Sequence, residues 1–168
     1  MWDVTRRSRG ARRTRNQQVD RARRRFRSLR PLLEGLEDRV VLSTIQWNSA
    51  VAPSGGAWGT ANNWVGGVVP GASDDAVIDL AQTGTVTISA SASVNSVTTT
   101  DATTTLALTS GTFTVAAASS LAGGFTESSG TLAGAGTVTV SGATVWSGGI
   151  MTGTGTTIAQ GGLTLGGN

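Results

Sequence analysis

Beyond Arg39 the chain keeps five ionisable side chains, all of them acidic: Asp74, Asp75, Asp79, Asp101 and Glu127. Carboxylates alone can build an acid–base pair or a hard-cation site. A glycosidase-type pair needs two carboxyls facing one bond. Asp101 and Glu127 are 26 residues apart, out of step with the repeat described below, so they are not expected to stack on one face. Calcium takes about 6–8 oxygen ligands from a compact loop. The spacing of Asp74, Asp75 and Asp79 fits no such loop, and a solvated turn leading into a strand accounts for them. The sequence holds no His, Cys, Lys or Tyr. The usual general base, thiolate ligands and nucleophiles, and disulfides are therefore missing. The chain reads as non-enzymatic, with no catalytic, cofactor-binding or metal-ligating residue.

Aromatic rings are the other chemistry-bearing group. Three of the five Trp residues, Trp47, Trp58 and Trp64, fall within residues 44–80. Each ring can cover roughly 150–250 Å² of apolar surface, which suits the capping of an open core. Rings can also stack on pyranose faces. Trp47, Trp58, Asn63 and Trp64 are thus candidate glycan contacts, and a carbohydrate-binding module is the alternative reading. The two readings differ in geometry: capping requires packed rings, whereas sugar binding requires exposed, coplanar ones. Thr44–Trp47 and Ala76–Leu80 alternate like short strands, with turns marked by Pro53, Gly55-Gly56, Gly66-Gly67 and Pro70-Gly71 between them. The stretch Trp58-Gly-Thr-Ala-Asn-Asn63-Trp64-Val-Gly-Gly-Val-Val-Pro70-Gly71-Ala-Ser-Asp74-Asp75-Ala-Val-Ile78 resembles a module found at the start of β-solenoid regions in large bacterial surface proteins, including autotransporter-like ones.

Residues 81–168 are built almost entirely from Thr, Ser, Gly, Ala, Val and Leu. Ser110-Gly111-Thr112-Phe113 aligns with Ser129-Gly130-Thr131-Leu132 and then with Gly148-Gly149-Ile150-Met151, each step 19 residues long. The same step back puts Val94 in the place of Phe113. A period near 20 signals a solenoid whose repeats each form one coil. Val86/Ile88, Leu106/Leu108, Phe113/Val115, Val138/Val140 and Leu163/Leu165 alternate with small polar residues, one face in and one out. The expected fold is all-β: a right-handed parallel β-helix with ~19-residue coils, truncated within a repeat. The segments Ser129-Gly-Thr-Leu132 and Trp146-Ser-Gly-Gly149 resemble repeats of bacterial adhesins and autotransporter passenger regions. That resemblance implies a structural or adhesive surface role.

The N-terminal part is of another kind. Residues 1–39 carry 13 Arg and 5 acidic residues, a net +8, whereas residues 40–168 carry a net −5. A disordered Arg-rich leader is expected for residues 1–30, followed by a short amphipathic helix on Leu32, Leu33, Leu36, Val40 and Val41. The Arg cluster has only Trp2 and Phe26 near it, too little for specific nucleic-acid contacts. No apolar run reaches the ~20 residues needed to span a bilayer. Leu33-Glu34-Gly35-Leu36-Glu37-Asp38-Arg39-Val40-Val41-Leu42-Ser43 resembles the LExLEDRxxLS motif of planctomycete exported proteins. The resemblance implies a targeting role for Leu33, Glu34, Leu36, Glu37, Asp38 and Arg39, contact with export machinery, and an extracellular or cell-surface location. The chain thus divides into an export leader (1–43), a capping module (44–80) and solenoid repeats (81–168). Its expected partners are cell-envelope glycans or neighbouring surface proteins, with no nucleic acid and no cofactor.

Overall fold

A computed structural model describes residues 42–166. The Arg-rich leader, the amphipathic helix and the targeting motif residues Leu33–Arg39 lie outside them. Among the described residues sixteen short strands follow one another, with one 3-10 turn, Ala61–Asn63, near their start. In chain order they are β1 (Ser43–Gln46), β2 (Gly55–Ala57), β3 (Asp74–Ile78), β4 (Gly84–Ile88), β5 (Ala92–Val94), β6 (Ser96–Thr99), β7 (Thr104–Leu108) and β8 (Thr112–Val115). They continue as β9 (Ser119–Leu121), β10 (Gly124–Glu127), β11 (Thr131–Gly134), β12 (Thr137–Val140), β13 (Thr144–Trp146), β14 (Ile150–Met151), β15 (Thr156–Ala159) and β16 (Leu163–Leu165).

These strands wind through three sheets. One runs β1-β3-β6-β9-β12-β15, a second β2-β4-β7-β10-β13-β16, and a third β5-β8-β11-β14. All the paired strands are parallel. The architecture is therefore a parallel β-solenoid of about five turns. The capping module and the repeats share sheets: β1 and β2 are edge strands of the same two sheets that the repeats extend.

The period of 19 holds exactly where the sequence shows it most clearly. Phe113 pairs with Leu132, Leu132 with Met151, and Phe125 with Thr144. Earlier coils are longer. Val86 pairs with Leu106 at a step of 20, Ala92 with Phe113 at 21, and Thr98 with Ser120 at 22. Ala92, not Val94, thus stands under Phe113, and Val94 pairs with Val115. The extra residues lie in the corners, where a coil can lengthen without disturbing the ladder. Gly111, Gly130 and Gly149 mark one such corner in three successive coils, with φ of 75°, 92° and 92°. An L side chain is strained there, which explains the recurring glycine.

Alternation fills the bore in columns. One column on the second sheet reads Val86, Leu106, Phe125, Thr144, Leu163, and its neighbour reads Ile88, Leu108, Glu127, Trp146, Leu165. Side chains are fully buried through the middle coils, Ile88, Leu108, Leu121 and Val140 among them. In the last described coil Leu163 and Leu165 are 54% and 65% exposed. Ala92 is small, which lets the Trp58 ring from the lid reach Phe113, at 5.1 Å between centroids. Phe113 therefore joins lid and coils. Phe113→Ala is expected to lower the unfolding free energy by roughly 3–5 kcal/mol, as for other large core truncations. Denaturant unfolding of the full chain checks this, and a loss under about 1 kcal/mol would show that the surrounding columns repack.

Candidate functional site

Trp47, Trp58, Asn63 and Trp64 gather into one cluster, the lid, beside the first strands. Trp47, Trp58 and Trp64 are 4%, 2% and 1% exposed. Trp64 lies edge-on to both others, with centroids 5.0 Å from Trp47 and 4.8 Å from Trp58 and interplanar angles of 79° and 69°. Edge-to-face contact suits the ring quadrupoles. Trp47 Nε1 donates to the Ala52 carbonyl (2.9 Å) and Trp64 Nε1 to the Trp58 carbonyl (2.7 Å), while Trp58 Nε1 has no partner. Asn63 is spent on the lid too, its Nδ2 donating to the Ala57 carbonyl at 2.9 Å.

The lid also closes a strand edge. The segment around Trp64 runs antiparallel to the end of β1, bridging Trp47 and Trp64. The Asn48 amide donates to the Asn63 carbonyl (2.7 Å) and the Val65 amide to the Gln46 carbonyl (2.8 Å). This satisfies main-chain groups that an open first coil would leave bare. The three rings are buried, and Trp64 packs edge to face against the other two. A coplanar, open platform for a sugar is not formed by them.

The acidic residues are dispersed. Asp74 accepts from the Ser43 hydroxyl and from the Gly71 amide (2.8 Å), and these bonds hold its carboxyl below the ordinary range. Asp75 accepts from Asn95 Nδ2 (2.7 Å) and the Ser96 hydroxyl (2.6 Å), tying β3 to the next coil. The exposed Asp79 contributes its main-chain carbonyl, which accepts from Ser49. Among the described residues no group of three or more His, Cys, Asp or Glu side chains is placed to hold a metal. A cleft of about 560 Å³ lies between the lid and β5, lined by Trp58, Val69, Pro70 and Ala92 and by Ser89, Ser91 and Ser93, with no titratable side chain.

Glu127 stands apart. Its side chain is fully buried, inside the bore, in the position that Leu108 holds one coil earlier and Trp146 one coil later. Neither carboxyl oxygen makes a hydrogen bond of ordinary geometry. Loss of hydration pushes the carboxyl up to about 7, partly offset by the nearby amides of Leu132 and Ile150. The Ile150 amide is already committed to the Gly130 carbonyl at 2.9 Å. Space for the carboxyl comes from Gly149, where a Cβ would lie 2.6 Å from Oε1. The sequence carries a signal for this placement: Phe125-Thr126-Glu127 alternates in-out-in, and a 19-residue step carries Glu127 onto the inner column of Trp146. Asp101 sits in the corner before β7, so the two acids do not stack.

No helix among the described residues is long and apolar enough to cross a membrane. Comparison with protein families, with curated proteins and with solved structures finds no match to this chain.

Two measurements follow from this geometry. With Trp2 and Trp146 replaced by Phe, the remaining three indoles are expected to emit in the blue and to resist acrylamide; red-shifted, readily quenched emission would mean the lid is open in solution. Gly149→Ala places a side chain at φ 92° against Glu127 and is expected to cost about 1–3 kcal/mol. Glu127→Ala should recover part of that loss, with a coupling of at least about 0.5 kcal/mol in a double-mutant cycle. Additive losses would place the strain in the backbone alone.

Proposed function

We propose that this chain is an exported, non-catalytic cell-surface protein of the planctomycete type, whose right-handed β-solenoid acts as a rigid spacer or interaction surface. The observation that carries the reading is the pairing of a closed tryptophan lid with an uninterrupted parallel stack. Such a stack fixes the distance between its ends, because each coil adds one strand spacing of about 4.7–4.9 Å. Its outward strand positions are rich in Thr and Ser, which suits a projecting element better than a reaction centre. The carboxylates that could serve chemistry are bonded to neighbouring strands, dispersed or sealed in the bore. The resemblance of Leu33–Ser43 to an export motif supplies the location, and the resemblance of the repeats to adhesin passenger regions supplies the role.

Expression of the full chain with a C-terminal epitope in a planctomycete host tests the export half of this reading. The epitope is expected on intact cells, sensitive to added protease. Replacing Leu33, Leu36, Asp38 and Arg39 together by Ala should leave the protein inside. An unmutated chain that stays protected from protease in intact cells would overturn export. The spacer half is tested by binding to insoluble polysaccharides: no saturable binding is expected. Saturable binding that disappears in a folded Trp58→Ala protein would replace the spacer with a carbohydrate-binding module.

A further inference from the structure

We propose that Glu127 is a proton-operated latch that holds the last two described coils, β11–β13 and β14–β16, closed on the stack and lets them open when its carboxyl ionises. Glu127 lies at the junction between these coils and the rest, with Leu108 behind it and Trp146 ahead of it in its column. It is fully buried, and neither oxygen makes a hydrogen bond of ordinary geometry. The elements around it hold no group that could balance a charge. β7, β8, β11, β13 and β14 carry no ionisable side chain, nor does the corner at Gly148-Gly149. Asp101 sits at a corner on the far side of β7. A neutral carboxyl costs less in this site than a carboxylate, which has lost its water and keeps only the partial help of the Leu132 and Ile150 amides.

The coils beyond the latch are also the ones least able to resist. Inner residues before Glu127 include Phe113, Leu121 and Phe125, all buried. After Val140, Thr144 is the remaining buried side chain among the described residues, and Gly134 and Gly153 occupy inner positions where Val115 stands earlier. Local opening takes the cheapest contiguous unit first. That unit begins at the corner following Glu127, Ser128–Gly130.

The direction with pH follows from linkage. Burial raises the carboxyl above its ordinary value of 4.5, to about 7. The closed form therefore binds the proton more tightly than the open form does. Its stabilisation is complete below pH 4.5 and is lost as pH rises through about 7. Closure at acidic pH and loosening as pH rises from 4.5 to about 7 is the opposite of what a salt-bridged carboxylate would give.

Hydrogen exchange on the full chain, followed by mass spectrometry and corrected to protection factors, tests this at pH 5.5 and 8.5. Protection of residues 131–165 is expected to fall roughly thirtyfold between the two, as the linkage of one such carboxyl requires. Protection of residues 84–121 should change far less. E127Q should make residues 131–165 insensitive to pH. E127L, which copies the Leu108 position of the preceding coil, should do the same with higher protection throughout, and it serves if the Gln variant does not fold. The proposal is overturned by protection of residues 131–165 that does not change with pH in the unmutated chain. It is equally overturned by a loss shared by both regions, or by a loss that survives in the substituted proteins.

Discussion

Each coil donates its main-chain hydrogen bonds to the next, and this parallel ladder is the constraint on which every other feature rests. Because the rungs sit about 4.7–4.9 Å apart, side chains at matching positions stack into columns whose members must fit directly on one another. The column Ile88, Leu108, Glu127, Trp146 follows from the register alone. So does the requirement for glycine wherever the backbone of one coil crosses close to that of the next. A Cβ on Gly123, for example, would lie 1.8 Å from the Thr104 carbonyl. Much of the glycine content between coils is thus set by rung spacing. The ladder also explains how a bore lined by Val, Leu, Thr and Ala suffices: backbone groups are satisfied between coils, and the core has only a narrow gap to fill.

A ladder has ends, and its first edge is where the chain departs from its own repeat. The segment through Trp64 turns back antiparallel on β1, which a parallel rung cannot imitate. Three indoles then fill the mouth of the bore. Their size is matched from inside by the small Ala92, which opens the path from Trp58 to Phe113. Lid and first coils are therefore one packing problem. A change in ring size at Trp58 would be felt at β8, well removed in sequence.

Much of this was legible in the sequence, and the places where it was not are instructive. The glycines at 111, 130 and 149 announced both the period and its corner, because a left-handed turn admits few substitutes. Extrapolating the same step backward misplaced Val94, since corner length is invisible to a fixed period: an added corner residue leaves the alternation of the flanking strands intact. The clustering of Trp47, Trp58 and Trp64 pointed to a lid, yet the sequence could not say which ring faces which, for that depends on the antiparallel return. The resemblance of Leu33–Arg39 concerns residues outside those described and gains nothing from the fold. Glu127 was readable as an inner residue from alternation, but its isolation was not. That depends on the absence of charge in five neighbouring strands and on the cavity opened by Gly149.

The same ladder decides which polar groups the bore can accept. Thr99, Thr104, Ser119 and Thr144 are all buried in it. A hydroxyl is small, neutral and able both to donate and to accept; Ser119 takes the Val97 amide at 2.9 Å and gives its proton to the Ala117 carbonyl at 3.2 Å, while the Thr99, Thr104 and Thr144 hydroxyls are buried without a partner, which a neutral group bears at lower cost than a charge. An ionised carboxyl can only accept, and acceptance requires free N–H donors. In a parallel stack those donors are already used between coils; the Ile150 amide beside Glu127, bonded to Gly130, is one of them. The fold that makes a solenoid self-sufficient in hydrogen bonds therefore leaves little to stabilise a charge within it. A carboxyl placed there is comfortable only when protonated. The one acidic side chain fully buried among the described residues sits at the point where the core begins to thin, which is where its protonation state has the greatest leverage on the coils that follow.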